Sequence, residues 1–259
     1  MKTTLQIRSI VNVLGKLVVI EAVMMLVPLV ICLIYGENDW KSFALASMTA
    51  LFAGGIAAYA TQGQKPLIKT REGFVITALI WIVYGLFGMI PYMLCDRPLS
   101  LTDAMFETIS GFTTTGVSSI MDVDVYSHGI LFWRALTQWI GGLGIILFLL
   151  ALMPEWNKSA GISMYYAESS GITHDKLHPR IRQTVLSLWK IYIVVTAVSI
   201  ILLWIGPMTL FDSVCQSFAA IATGGFSTHN EGISFWKSNY VYSVLILVMT
   251  VGGINFMVI

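Results

Sequence analysis

The sequence runs 259 residues, 56% of them hydrophobic and only 11% charged, with a mean hydropathy of +0.78. Soluble domains carry about 25% charged residues, so this composition excludes an ordinary soluble globule and points to a protein embedded in the lipid bilayer. A formal net charge of +1, with no basic cluster interleaved with aromatics, gives no nucleic-acid partner.

Lys2, Arg8 and Lys16 make the first sixteen or so residues basic. Leu17 to Tyr35 reads as a first membrane span. It is too long for a signal-peptide core, and the polar turn Gly36-Glu37-Asn38-Asp39 follows it where a cleavage site would stand. Pro28 is tolerated inside such a span. Glu21 is expected to snorkel or to pair with Lys16, although an acid within a span is a functional candidate by default. Phe43 to Ala60 is the second span, and its Gly54-Gly55 suits close helix packing. A polar loop with Lys65, Lys69 and Arg71 leads to a third span, Gly73 to Leu94, whose Gly85-x-x-Gly88 and Pro91 predict tight packing and a bend.

Leu101 to Ser110 breaks the pattern. It holds Asp103, Glu107 and Thr108, and at 1.5 Å per residue it reaches ~15 Å, half of a ~30 Å hydrocarbon core. The run Gly111-Phe112-Thr113-Thr114-Thr115-Gly116-Val117-Ser118-Ser119 follows. A half-membrane helix leading into a Thr/Gly-rich strand, between full spans, reads as a re-entrant pore loop, because irregular backbone at that depth survives only where it lines water or is buried in protein. A cation filter replaces an ion's water shell with backbone carbonyls. Aiming those carbonyls at one axis needs backbone angles that Gly adopts cheaply. Taken alone, a Thr-rich loop ending at Gly is ordinarily a turn.

Asp122 and Asp124 precede a span from about Gly129 to Met153. Glu155 to Gln183 is the longest polar stretch and contains His174-Asp175-Lys176-Leu177-His178, a near miss for a metalloprotease His-Glu-x-x-His. Pro179 follows at once and denies the motif the helix it requires, so the stretch reads as a solvated cytoplasmic loop. Val185 to Ile205 is the fifth span, Leu210 to Ile221 a second half-helix, Ala222 to Ser227 a second loop, and Tyr240 to Ile259 the last span. The sequence stops inside that apolar run, and more chain is expected after it. Cys32, Cys95 and Cys215 lie in or beside apolar runs and read as small core hydrophobes, without disulfide or zinc spacing.

The second loop repeats the first. At a shift of about 110 positions, Pro98-Leu99-Ser100-Leu101-Thr102-Asp103 falls on Pro207-Met208-Thr209-Leu210-Phe211-Asp212, and Thr114-Thr115-Gly116-Val117-Ser118 on Thr223-Gly224-Gly225-Phe226-Ser227. Gly141-Gly142 falls on Gly252-Gly253 at a slightly longer shift. The glycine pairs are expected to permit a kink or a close approach behind each loop. Membrane transport proteins are often built from such repeats. The fold class is therefore an all-α polytopic membrane protein of span–pore loop–span repeats with two extra N-terminal spans. It divides into 1–72, the N-terminal helix pair; 73–183, the first repeat with its cytoplasmic loop; and 184–259, the second repeat.

Basic residues set the orientation. Those of the N-terminus, Lys65, Lys69, Arg71 and the Lys158 to Lys190 stretch fall on one side, against Lys41, Arg97, Arg134 and Lys237 on the other. The N-terminus is thus expected in the cytoplasm and both pore loops open outward. Asp96, Asp103, Glu107, Asp122, Asp124, Asp212 and Glu231 then gather outside, where they either raise the local cation concentration or simply solvate that face.

With Gly111-Phe112-Thr113-Thr114-Thr115-Gly116, Ala222-Thr223-Gly224-Gly225-Phe226-Ser227 and Trp139-Ile140-Gly141-Gly142-Leu143-Gly144 assembled, nearly the whole chain resembles the ion-conducting subunits of the bacterial Trk/Ktr potassium-uptake superfamily, in its TrkH branch. The extra pair of spans before the first repeat is a feature of that branch. The resemblance implies four span–loop–span repeats around one pore, of which two are present here; the family's intramembrane gating loop belongs to the third. It implies a selectivity filter for K⁺ in which Gly116 and Gly225 match the one glycine that the family keeps in each filter loop, with ion-facing carbonyls on Thr114, Thr115, Gly116, Thr223, Gly224 and Gly225. It implies a homodimer, a cytosolic nucleotide-binding regulatory subunit similar to TrkA, and the bacterial cytoplasmic membrane. Two loops alone cannot enclose an ion, so the remainder comes from further chain or from a second copy. No cofactor is expected on this chain, potassium being the transported ligand. No nucleophile triad, Walker loop or dinucleotide fingerprint is present, and Gly142-x-Gly144 lies inside a span, so no enzyme is expected. The alternative reading is a non-conducting membrane scaffold, or an ion-coupled carrier with re-entrant helices.

Overall fold

The computed structural model describes residues 6–62, 70–142, 144 and 181–254. Among the described residues the regular structure is helical. Four stretches are long and apolar enough to cross a membrane, Ile7–Tyr35, Trp40–Ala60, Arg71–Leu94 and Leu186–Ile205. Large apolar side chains such as Ile34, Phe52, Tyr59 and Trp204 face outward, as a lipid-bathed surface requires.

Helix α1 (Ile7–Met24) begins about ten residues earlier than the hydrophobic run alone suggests. It continues, after a break at Met25, as α2 (Leu26–Tyr35). Pro28 has no N–H to give the carbonyl one turn back, which accounts for the break. Gly36 ends α2 in the left-handed conformation, φ +70°, and the Glu37 N–H returns to the Cys32 carbonyl at 2.9 Å, a Schellman closure. Helix α3 (Trp40–Ala60) lies back along α1. Their crossing is as tight as backbones permit: a Cβ on Gly54 would lie 2.7 Å from the Gly15 carbonyl oxygen, and one on Gly15 2.8 Å from that of Gly54. Gly55 meets nothing among the described residues, so there only Gly54 of the expected pair makes a packing contact.

Glu21 does not pair with Lys16. Five positions along a helix turn the two side chains roughly 140° apart. Glu21 is instead 1% exposed and turned toward Gly88, its carboxylate oxygens without a hydrogen-bond partner among the described residues.

Helix α4 (Thr70–Gly88) and the short α5 (Ile90–Leu94) are separated at Met89, where Pro91 produces the expected bend. The Gly85/Gly88 face is where the first half-helix, α6 (Leu101–Phe112), is laid against α4. A Cβ on Gly85 would meet Met105 at 2.9 Å, and one on Gly88 the Thr108 methyl at 2.8 Å. Helix α7 (His128–Gly142) packs on α6, and its N-terminus is capped by Glu37, which accepts the N–H groups of His128 at 2.8 Å and Gly129 at 3.3 Å. Helix α8 (Ile181–Ile205), the second half-helix α9 (Leu210–Ile221), a 3₁₀ turn at Gly232–Trp236 and α10 (Asn239–Gly253) complete the described chain. Helix α9 lies against α7, α8 and α10, so the two half-helices are brought to either side of α7. His174 and His178 lie outside the described residues.

The two half-helices are built alike. Each has twelve residues. Ser100 Oγ accepts the Asp103 N–H at 3.2 Å and donates to the Asp103 carboxylate at 2.6 Å. Thr209 Oγ1 does the same with Asp212 at 3.1 and 2.7 Å. Hydroxyl N-caps with an acid in the first turn satisfy otherwise orphaned donors and complement the helix dipole. They fix where each short helix starts. Helix α6 runs on through Gly111 and Phe112, two residues beyond the expected end.

Candidate functional site

Each half-helix ends in a Thr/Gly loop whose backbone alternates in hand. Thr114 has φ +54° and Gly116 φ +74°; Thr223 has φ +51° and Gly225 φ +87°; the residue between them, Thr115 or Gly224, stays on the negative side. A β-branched residue at positive φ is a genuine outlier, with a strain of roughly 1–3 kcal/mol. Finding it twice, at corresponding positions, shows that the surrounding structure imposes it. Alternation of left- and right-handed residues turns successive N–H groups to one side of the strand and successive carbonyls to the other.

The hydrogen bonds follow that division. Thr114 N–H reaches the Gly111 carbonyl at 2.9 Å, and Thr115 N–H the Ser110 carbonyl at 3.0 Å. Thr223 N–H reaches the Ala220 carbonyl at 3.0 Å, and Gly224 N–H the Ala219 carbonyl at 2.8 Å. The N–H groups of Thr114, Thr115, Thr223 and Gly224 are thus taken up by the end of their own half-helix. No hydrogen bond among the described residues ends on the carbonyl oxygens of Thr114, Thr115, Gly116, Thr223, Gly224 or Gly225. The loops also touch: a Cβ on Gly116 would lie 1.7 Å from the Gly224 carbonyl oxygen. All six residues singled out in the sequence therefore lie on two adjoining strands with free carbonyls. A row of unpaired acceptors oxygen-lined in this way suits a hard, desolvated cation.

The glycine pairs behind the loops make close approaches. A Cβ on Gly141 would lie 1.9 Å from the Phe112 carbonyl oxygen, and one on Gly252 would lie 2.4 Å from that of Ile221. These are corresponding contacts, each glycine admitting the end of its own half-helix. Gly142 faces Ala222 of the second loop, whereas Gly253 meets nothing among the described residues. At Gly141, Gly142 and Gly252 the glycines make close packing contacts.

Three residues expected on the outer charged face, Glu107, Arg134 and Asp212, are buried instead. Glu107 is 0% exposed and Arg134, from the middle of α7, is 2% exposed. Arg134 Nε meets Glu107 Oε1 at 2.7 Å. One further guanidinium nitrogen donates to the Ser227 carbonyl at 2.9 Å, the other to Ser118 Oγ at 3.2 Å, and the group lies 4.3 Å from the centre of the Phe226 ring. Glu107 also accepts the Ser119 N–H at 2.9 Å and the Ser118 hydroxyl at 3.0 Å. This knot ties the first half-helix to the segments that leave both loops. Asp212, the first-turn acid bonded to the Thr209 cap of α9, is also buried and accepts the Thr228 hydroxyl at 2.7 Å. Asp96, Asp122, Asp124 and Glu231 do remain exposed. Asp124 holds His229 at 2.9 Å and Asp122 holds the Asn230 amide at 2.7 Å, which joins the segments that follow the two loops. The sequence carried half of this signal: an arginine alone in the apolar run of α7 calls for a buried partner or a pore, without saying which partner. Cys32, Cys95 and Cys215 are free and buried, in keeping with a packing role.

Together these features define a multi-span helical membrane protein with two half-membrane helices, each ending in a loop with free carbonyls. The pattern of the TrkH family, described as a cation transport protein, matches residues 40–259, and the chain belongs to that family. It is 36% identical over 251 residues to the "Trk system potassium uptake protein TrkH" of Escherichia coli K12, covering 96% of this chain and 52% of the relative. To the "Trk system potassium uptake protein TrkG" of the same organism it is 34% identical, covering 93% and 50%. The crystal structure of the potassium transporter TrkH from Vibrio parahaemolyticus superposes with a TM-score of 0.83 at 33% identity, covering 98% of this chain and 51% of that one. The chain thus spans about half the length of the relatives it matches.

Proposed function

We propose that this chain supplies part of the pathway by which potassium ions enter a bacterial cell. Thr114, Thr115, Gly116, Thr223, Gly224 and Gly225 form two walls of the selectivity filter. The observation that carries this is the set of six loop carbonyls that receive no hydrogen bond among the described residues, on loops where the N–H groups of Thr114, Thr115, Gly116, Thr223 and Gly224 bond back to their own half-helices. A scaffold would have no use for twice-imposed backbone strain at corresponding threonines; a carbonyl cage for a dehydrated cation does. Two further walls are required to enclose the ion, and they come from additional chain or from a second copy. The reading includes a homodimer in the cytoplasmic membrane and a cytosolic nucleotide-binding regulatory subunit, as the resemblance to the Trk/Ktr superfamily implies; the relatives' names supply the potassium uptake. The gene in its full-length form is expected to restore growth of a potassium-uptake-deficient bacterium on micromolar to low-millimolar potassium, with Rb⁺ uptake that K⁺ inhibits more strongly than Na⁺. Failure of a membrane-localised, well-expressed protein to do so overturns the proposal.

Orientation rests on the placement of lysine and arginine. The N-terminus and the loop around Ser170 face the cytoplasm, and Met121, fully exposed after the first loop, faces outward. A cysteine at Met121 is therefore expected to react with an impermeant maleimide on intact cells. One at Ser170 should react only after permeabilisation. The reverse pattern inverts the topology.

A further inference from the structure

Gln138 lies one turn beyond Arg134 on α7 and is fully buried. Its carboxamide sits between the two Thr/Gly loops. Oε1 accepts the Phe226 N–H at 3.1 Å. A backbone N–H can only donate, so this contact fixes which end of the carboxamide faces Phe226. The other end, Nε2, is shielded from solvent and has no hydrogen-bond partner among the described residues. It is 3.6 Å from the place a Cβ on Gly116 would occupy, and the Gly224 carbonyl oxygen is 1.7 Å from that same place. An unpaired buried amide donor is therefore held beside the point where the two loops meet.

The same side chain accounts for the difference between the loops. The first reads Thr114-Thr115-Gly116 and the second Thr223-Gly224-Gly225. Gly224 does not have a left-handed φ, so its backbone angles do not demand glycine. Space does: a Cβ there would lie 2.4, 2.6 and 2.7 Å from the Cδ, Oε1 and Nε2 atoms of Gln138. Gln138 fills the volume that a second-loop counterpart of Thr115 would need. At the corresponding place on α10 stands Met249, which cannot donate a hydrogen bond.

We propose that Gln138 sets the ion preference of the filter by acting as a hydrogen-bonding spacer between its first and second loops. The inference rests on the filter reading above. A carbonyl cage discriminates between cations through the spacing and field strength of its oxygens. The spacer fixes the separation at Gly116 and Gly224, and its free amide donor is available to the adjoining carbonyls, each of which has two lone pairs. Gln138 is a positioning residue; it touches the loops, not the ion.

The test uses the full-length transporter, with Rb⁺ uptake measured against increasing Na⁺. Gln138→Met keeps the length of the side chain and removes donor and acceptor. It is expected to raise sensitivity to Na⁺ roughly three- to tenfold, the size of one net hydrogen bond, with a smaller change in maximal rate. Gly224→Ala alone is expected to abolish most uptake. Combined with Gln138→Ala, which vacates the space, it should recover uptake while the altered preference persists. A merely structural role would lower yield and rate and leave the K⁺/Na⁺ preference of the surviving protein at the wild-type value, and that result overturns the proposal. If Gln138→Met does not assemble, the pair decides: Gly224→Ala no better in the Gln138→Ala background overturns it equally. Gly116→Ser serves as the control for the underlying reading. If Gly116→Ser shifts the preference and Gln138→Met does not, only the spacer fails. If neither shifts it, the filter assignment itself fails.

Discussion

Replacing Arg134 by leucine while Glu107 remains is expected to destabilise the protein by roughly 3–5 kcal/mol, because it leaves a carboxylate buried without its countercharge. Glu107 is completely enclosed, and the serines that also bond it cannot neutralise it. The second half of the chain displays the neutral solution to the same packing problem. Gln216 stands where Glu107 does and bonds Ser227 Oγ at 2.8 Å, the counterpart of the Ser118–Glu107 contact. Leu245, buried on α10, corresponds to Arg134. Converting the first half to that chemistry with Glu107→Gln and Arg134→Leu together is therefore expected to recover a substantial part of the loss, since a buried ion pair is often replaceable by neutral groups of similar volume. Recovery should be incomplete, because the guanidinium's contacts to the Ser227 carbonyl and the Phe226 ring go with it. Thermal unfolding of the purified protein in detergent measures this, with the two singles and the double read as a cycle. A double variant no more stable than Arg134→Leu alone would show that the charge pair is not what holds the knot.

The sequence made some of this visible and hid the rest for physical reasons. The half-helices were legible because their caps are local: Ser100 with Asp103, and Thr209 with Asp212, are three residues apart and announce a helix start in any context. The loops were legible because the same Thr/Gly grammar occurs twice at a constant shift. Gly85, Gly88 and Pro91 were legible as a packing face and a bend, since small residues and proline each have a narrow set of uses in membrane helices. The environment of a polar side chain is not a local property. Glu107 and Arg134 are 27 positions apart and were placed on a charged outer face, where the same residue types would serve equally well. Their burial follows from α7 lying between the two half-helices, which neither hydropathy nor spacing specifies. Gln138 carries no charge and gave no signal at all; its position is read only from the approach of Phe226 and Gly224, 88 positions away in the first case. Glu21 shows the opposite failure, a signal correctly noticed and given the wrong partner, because helical phase places Lys16 on another face.

The largest functional effect is expected at the glycines of the two loops. Gly116 and Gly225 both occupy the left-handed region, at φ +74° and +87°. Any side chain there incurs a conformational strain of about 1–3 kcal/mol, and a β-branched one lies at the upper end. At Gly116 a collision is added, since the first side-chain carbon would lie 1.7 Å from the Gly224 carbonyl oxygen. At Gly225 a Cβ meets nothing within 4 Å among the described residues, so the strain there is purely conformational unless a further strand lies alongside. Either disturbance acts on the carbonyls themselves, which the half-helix ends hold by their N–H groups and leave free on the other side. Discrimination between K⁺ and Na⁺ in a carbonyl cage depends on differences smaller than this strain, so ion preference should degrade before folding does. The expected order of Na⁺ inhibition of Rb⁺ uptake is wild type, then serine, then valine at each position, with the Gly116 series the steeper. Because the two loops meet at Gly116 and Gly224, substitutions at 116 and 225 combined should fall short of the sum of their separate effects. Well-expressed Gly116→Val and Gly225→Val proteins with the wild-type preference for K⁺ would remove both loops from the ion pathway.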